Sequence, residues 1–437
     1  MLEGGKAREV SVPGAEYQEW VYLNDLTTKG TKNTPYTNPA DRARLHAEGT
    51  KETEERVPGL QVDGYFRDDS KTTKEPGNNY GNRMFPNDSQ FVMRFPTPDL
   101  WNGKLVITGP SGVRGQYAND FMVGDFVLAK GYAYASTDKG NSGTRFYCGS
   151  RMPGDAIAEW HQRVKQLALA TKGAAAKYYE RSPGRTYVTG ISNGGYLTRY
   201  ALEKTPELYD GGVDWEGVLW RPEGPNLFTY LPLALKHYPQ YRDIKSQAAH
   251  DAMIEAGFAE GSEFLWDFHY NVYWGVTQRI YREEFDPTYL GAEGDYDYPS
   301  KPQEVKDAVA RVSLSGDIGK PLITLHGTLD ALLPIKTNSD EYAKFVDKAG
   351  KSDLHRYYTI EAGNHIDWLY DNPLFPAELR AELRDKLQPI LPCYRASFEA
   401  LERWVEEGSE PPESQSVPKP EGGDVVNTCP PLEMQGA

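Results

Sequence analysis

The chain has 437 residues, and 48 Lys and Arg against 63 Asp and Glu give a formal charge of −15. With 39% hydrophobic and 12% aromatic residues it can bury a large core, which excludes a disordered or collagen-like chain. The acidic balance, with no long Lys/Arg stripe, argues against a nucleic-acid partner, and no apolar run reaches the ~20 residues of a membrane helix.

Residues 1–87 are polar and rich in Gly, Pro, Asn and Thr, with extended candidates such as Tyr17–Leu23. They read as an N-terminal segment packed on the main body. The start, MLEGGKAREVSVPG, lacks the apolar stretch of a secretory leader, so the expectation is a cytoplasmic protein or a secreted one whose leader is removed. From residue 88 short β-rich runs alternate with amphipathic stretches. The runs are QFVMRFP (90–96), KLVITG (104–109), YAYAST (132–137), TYVTGIS (186–192), LITLHG (322–327) and HRYYTI (355–360), with Gly211–Gly217 as a further strand. Helical patterns cover Asp155–Glu180, Asn193–Tyr209 and Thr337–Ala349. Strands separated by helices of this length imply βαβ crossovers and a mostly parallel sheet with helices on both faces, an α/β protein.

Residues 215–300 break the alternation. Aromatic side chains fill 18 of these 86 positions, which read as a cap inserted between core halves 88–214 and 301–408. Most of the rings are expected to build the cap's own core, and Trp220, Phe228, Trp266, Tyr270 and Trp274 are the candidates to line a substrate cleft. A last helical stretch, Pro376–Glu407, breaks around Pro389 and Pro392. The tail, 409–437, holds six prolines and reads as extended on the surface. Three cysteines, Cys148, Cys393 and Cys429, lack metal-site spacing. A Cys393–Cys429 bridge would pin the tail; three reduced thiols are the alternative.

The chemistry starts at Gly190-Ile191-Ser192-Asn193-Gly194, a G-x-S-x-G pattern between the strand TYVTGI and the helical NGGYLTRYALEK. In that context the serine sits on a tight turn with its hydroxyl exposed, at a helix N-terminus that favours a developing oxyanion. A nucleophilic serine needs a base, and the base needs a carboxylate. Asp330 follows the strand LITLHG, and His365 lies in the loop after HRYYTI. The order Ser192, Asp330, His365 places all three at the carboxyl edge of a parallel sheet. Asp214, at another strand end, is the rival acid. His161 and His355 read as structural, and His326 as shaping the Asp330 loop. The oxyanion donors are expected from the Asn193 N–H and from Ser111 or Gly112 in the loop after KLVITG, since Pro110 has no N–H. Lys139, Asn141 and Arg145, after YAYAST, are placed to reach the cleft, with an ordinary solvated loop as the favoured reading.

The motifs GISNGG, HGTLD, AGNH and ASTDKGN together resemble the α/β-hydrolase superfamily, and within it the tannase/feruloyl-esterase and hydroxybutyrate-oligomer-hydrolase branches. The resemblance implies an α/β-hydrolase fold and hydrolysis of carboxylic esters without metal or organic cofactor. Tannase-like members carry cysteines beside the catalytic serine and histidine, joined as a disulfide; here those neighbours are Ile191 and Ile366. The expected activity is therefore that of a serine esterase on a bulky, aromatic or short polyester substrate, small or oligomeric. An amidase or C–C bond hydrolase on the same triad, or a non-catalytic binding protein, are the alternatives.

Overall fold

Strand runs of this composition stay buried on both faces only if helices cover them. The computed structural model describes residues 10–30, 56–67, 88–140, 143–144 and 152–433, and within these it forms one ten-stranded sheet. The strands are β1 (Ala15–Leu23), β2 (Gly59–Phe66), β3 (Gln90–Pro96), β4 (Lys104–Thr108), β5 (Ala133–Thr137), β6 (Arg185–Ile191), β7 (Gly211–Trp215), β8 (Leu322–Gly327), β9 (His355–Ile360) and β10 (Gln415–Val417). Their order is β1-β2-β3-β5-β4-β6-β7-β8-β9-β10. From β5 to β10 every pair is parallel, and β1, β2 and β3 join antiparallel. Side chains alternate across the sheet: Leu105 and Ile107 enter one apolar cluster, Val106 the other. Helices Asp155–Tyr179 and Asn193–Lys204 cover the first face, and Leu391–Glu407 covers the second. The sheet is the α/β-hydrolase arrangement.

Two segments do more than their composition suggested. Within the described part of the N-terminal segment, β1 and β2 extend the sheet at its antiparallel edge. β2 is disguised by Gln61 and Asp63, polar side chains buried in a strand and satisfied by Arg94 and Tyr117. The tail contributes β10 to the parallel edge, and Cys429 is bridged to Cys393 with Cα atoms 5.0 Å apart. Cys148 lies outside the described residues.

Between β7 and β8 the chain forms helices Leu227–Ile244, Gln247–Glu255, Glu263–His269 and Gly275–Phe285, the last two joined by a π-helical turn, Tyr270–Trp274. Among the described residues no helix is long and apolar enough to cross a membrane.

Candidate active site

β6 runs directly into Ser192, whose backbone adopts φ +59° and ψ −115°, a region that L side chains rarely occupy. The Ser192 N–H donates to the Trp215 carbonyl at 2.8 Å, and the helix starts at the next residue. The flanking glycines are steric requirements. A Cβ on Gly190 would lie 2.5 Å from the Gly194 backbone, and one on Gly194 would lie 2.4 Å from the Gly109 oxygen. The serine is thus held in a strained bend that only small neighbours permit.

Ser192, Asp330 and His365 follow β6, β8 and β9, all at the carboxyl edge. Asp330 is wholly engaged. Its Oδ1 accepts the N–H groups of Leu332 and Leu333, both at 2.8 Å, while its Oδ2 lies 2.8 Å from His365 Nδ1 and 3.1 Å from His326 Nε2. The two loops are tied together by the Leu329 N–H on the Gly363 carbonyl at 2.8 Å. Asp214 does not take this place: its oxygens go to Arg199 Nε at 2.5 Å and the Gly217 N–H at 2.8 Å. His326 supports the Asp330 loop, with Nε2 also 2.9 Å from the Leu333 carbonyl. His161 stacks on Tyr200, and His355 faces Thr324.

A second carboxyl group faces the same imidazole. Glu216, just past β7, is wholly buried at φ +54°. Its Oε1 accepts the Gly327 N–H at 2.7 Å, and its Oε2 lies 3.2 Å from His365 Nδ1. Sequence reading weighed Asp214 on this strand and passed over Glu216, although it ends a strand at the same sheet edge. The three groups titrate together. Burial would raise Asp330, but His365 and His326 hold it below the usual carboxylate range. Burial, reinforced by Asp330, pushes Glu216 well above that range. Burial would lower His365, yet Asp330 and then Glu216 raise it to about 10. Asp330 is therefore the persistent anion, and Glu216 the carboxyl that protonates first. Glu216, His326 and Asp330 offer ligand atoms within 4.8 Å of one another. Their hydrogen bonds already run to one another's loops and to His365, so the cluster serves as the imidazole's support.

The loop after β4 borders the serine. Asn193 Nδ2 donates to the Gly112 carbonyl at 3.0 Å and to the Tyr281 hydroxyl at 2.6 Å, so it fastens that loop and the segment between β7 and β8 to the Ser192 turn. The N–H groups of Ser111 and Gly112 donate to no group among the described residues. Lys139 departs from its solvated reading: it is wholly buried, and burial pulls its ammonium down to about 7 against the opposing charge of Asp138. Asn141 and Arg145 lie outside the described residues.

The cap aromatics divide. The aromatic neighbours of Trp266 (Tyr238, Tyr241, His250 and Phe258) and of Phe228 (Trp220, Phe285, Tyr296 and Tyr298) are all cap residues. These two rings therefore build the cap core. Tyr270 is half-buried against Tyr238 and Trp274, and Trp220 packs on Tyr281. Trp274 reaches the site's edge, its indole donating to the carbonyl of Ala331 at 2.7 Å, next to Asp330. Gln278 sits about one helical turn from both Trp274 and Tyr281, on the same face. It is wholly buried, and neither amide atom has a partner among the described residues.

Residues 82–214 match the family of tannase and feruloyl esterase. A probable feruloyl esterase of Arthroderma benhamiae is 27% identical over 179 residues, 38% of this chain and 31% of that protein. A mono(2-hydroxyethyl) terephthalate hydrolase of Piscinibacter sakaiensis is 26% identical over 144 residues, 30% of this chain and 23% of that protein. The matches thus span a third or less of the length of these relatives. Feruloyl esterase B from Aspergillus oryzae shares the fold at a TM-score of 0.55, with 14% identity over 92% of this chain and 89% of its own. An esterase from Aspergillus oryzae does so at 0.53, with 13% identity over 92% of this chain and 88% of its own.

Proposed function

We propose that the protein is a serine hydrolase of carboxylic esters, with Ser192 as nucleophile, His365 as base and Asp330 as its orienting acid. The observation that carries this reading is the pairing of a strained serine turn with a buried His365–Asp330 contact of 2.8 Å at one sheet edge. Ser192 Oγ attacks the ester carbonyl as His365 Nε2 takes its proton. Asp330 holds the Nδ1–H tautomer and stabilises the imidazolium. The N–H groups of Asn193 and of Ser111 or Gly112 receive the oxyanion. The alcohol leaves with the proton from His365, and the imidazole then activates water to release the acid.

The acyl group favoured by this reading is bulky and aromatic. The two curated relatives are named for aromatic esters, and Trp274 closes the cap over the Asp330 loop. Gln278 supplies a neutral donor and acceptor for a polar substituent of such an acid. Ile191 and Ile366, in place of paired cysteines, pack in one apolar cluster, which supplies contact where a covalent tie is absent. Turnover of p-nitrophenyl esters with covalent labelling by a fluorophosphonate, both abolished in Ser192→Ala, tests the assignment. Equal turnover of the matching anilides would make it an amidase instead, and a wild type that neither turns over esters nor takes the label would refute it.

A further inference from the structure

Three costs meet in Lys139, two residues past the end of β5. It is wholly buried, and its φ of +68° lies where side chains are disfavoured. Among the described residues its ammonium has no carboxylate within ion-pair reach. Its polar partners are the carbonyls of Gly112 at 3.0 Å and Pro110 at 3.4 Å, and the Trp160 ring lies 5.0 Å away. A buried cation without a counter-ion is expensive, and a strained residue persists only where its surroundings enforce it.

The loop that Lys139 touches is accounted for carbonyl by carbonyl. Asn119 Nδ2 donates to the Gly109 oxygen at 2.8 Å, the Arg114 N–H to Ser111 at 3.2 Å, and the Gly143 N–H to Val113 at 2.8 Å. Lys139 takes the Pro110 carbonyl and shares that of Gly112 with Asn193 Nδ2, each donor 3.0 Å from the Gly112 oxygen. Every carbonyl from Gly109 to Val113 is thus engaged, whereas the amides of Ser111 and Gly112 are not. In a trans peptide the C=O and N–H point in opposite directions. Drawing the Pro110 carbonyl toward Lys139 therefore turns the Ser111 N–H away from it, and the cation polarises that N–H through its own peptide.

We propose that Lys139 is the positioning residue of the oxyanion hole, its ammonium holding the Pro110 and Gly112 carbonyls so that the Ser111 N–H is presented to the oxyanion. The inference rests on the esterase reading above. Because negative charge builds on the substrate oxygen only as the serine adds, Lys139 acts on the transition state more than on the bound ester.

The test is Lys139→Met, which keeps the side-chain length and replaces a buried cation with a thioether. kcat on a p-nitrophenyl ester is expected to fall roughly tenfold to a hundredfold, less than loss of a direct donor, with KM changed under about twofold. Affinity for an aryl trifluoromethyl ketone, whose adduct with Ser192 carries the oxyanion, is expected to fall by the same factor, with Tm at or above that of the wild type. Unchanged kcat, an equal rise in KM, or a lost kcat with unchanged ketone affinity would each overturn the proposal. Should that variant not fold, Lys139→Ala with added ethylammonium decides: amine-dependent recovery of kcat supports the role, and none refutes it. A wild type without turnover or labelling removes the esterase reading and this proposal together, whereas a normal wild type with an unaffected variant removes only the role of Lys139.

Discussion

Asp330→Asn tests whether the two carboxyl groups on His365 can stand in for each other. The substituted amide must keep its oxygen on the Leu332 and Leu333 N–H groups, each 2.8 Å from Oδ1 in the wild type. Its NH2 then faces His365 Nδ1, where it favours the wrong tautomer. Glu216, 3.2 Å from the same nitrogen, opposes this by accepting the Nδ1–H. With Glu216 substituting, the loss is that of one charge-assisted hydrogen bond, about 1.5–3 kcal/mol, or roughly 10- to 150-fold in kcat/KM. With Asp330→Asn and Glu216→Gln combined, no carboxylate holds the tautomer, and the loss is expected to reach about 10³–10⁴. On the alkaline plateau, where His365 is fully neutral, Glu216→Gln alone is expected to cost only a few-fold. The assay is ester turnover at fixed pH, with circular dichroism to show each variant folded. If Asp330→Asn alone already costs about 10⁴ and the double variant is no worse, Glu216 does not substitute and the reasoning fails.

Ser192→Ala and His365→Ala are each expected to abolish turnover, with the double variant no worse than either; losses that multiply in the kinetics would separate them into two mechanisms. His365 must be neutral to accept the serine proton, and its raised pKa means that the neutral form accumulates only above the ordinary imidazole range. kcat/KM should therefore still climb above pH 7 and fall on acidification. Glu216→Gln removes one of the two groups that raise it, an interaction of roughly 1 to 5 kcal/mol at 3.2 Å, so the acid limb should move to lower pH by about one pH unit or more. A limb that stays in place would show that Glu216 is already neutral in the resting enzyme. Asp214→Asn should leave Arg199 buried without its charge partner and lower stability by about 3–5 kcal/mol in denaturant melts, while kcat per folded molecule stays within a few-fold. Gln278→Leu should raise KM for hydroxyl-bearing aryl esters and spare the unsubstituted ones; equal effects on both would place Gln278 in cap packing.

Much of the architecture is written in local pattern. LITLHG, buried on both faces, and HRYYTI, buried on one face and half-buried on the other, are strands, and their spacing by helices makes the sheet parallel. The Ser192 turn is equally local, since Gly190 and Gly194 are needed by contacts within one strand–turn–helix and with the adjacent loop. The placement of Asp330 and His365 past strand ends follows from the same reading. What only tertiary structure decides is which polar groups share a desolvated space. Strand β2 escaped pattern reading because Gln61 and Asp63 are satisfied by Arg94 and Tyr117, distant in sequence. Glu216 and Asp214 are two residues apart and chemically alike, and a continued strand would put both on one face; one meets His365 and the other Arg199 because Glu216 lies just past the strand end at φ +54°, where the alternation is broken. Lys139 reads as a solvated charge in the sequence, and only the packing of Trp160 and the neighbouring loop encloses it against two carbonyls. Burial and long-range partners set these groups' charge states, and neither is a property of the residues next to them in the chain.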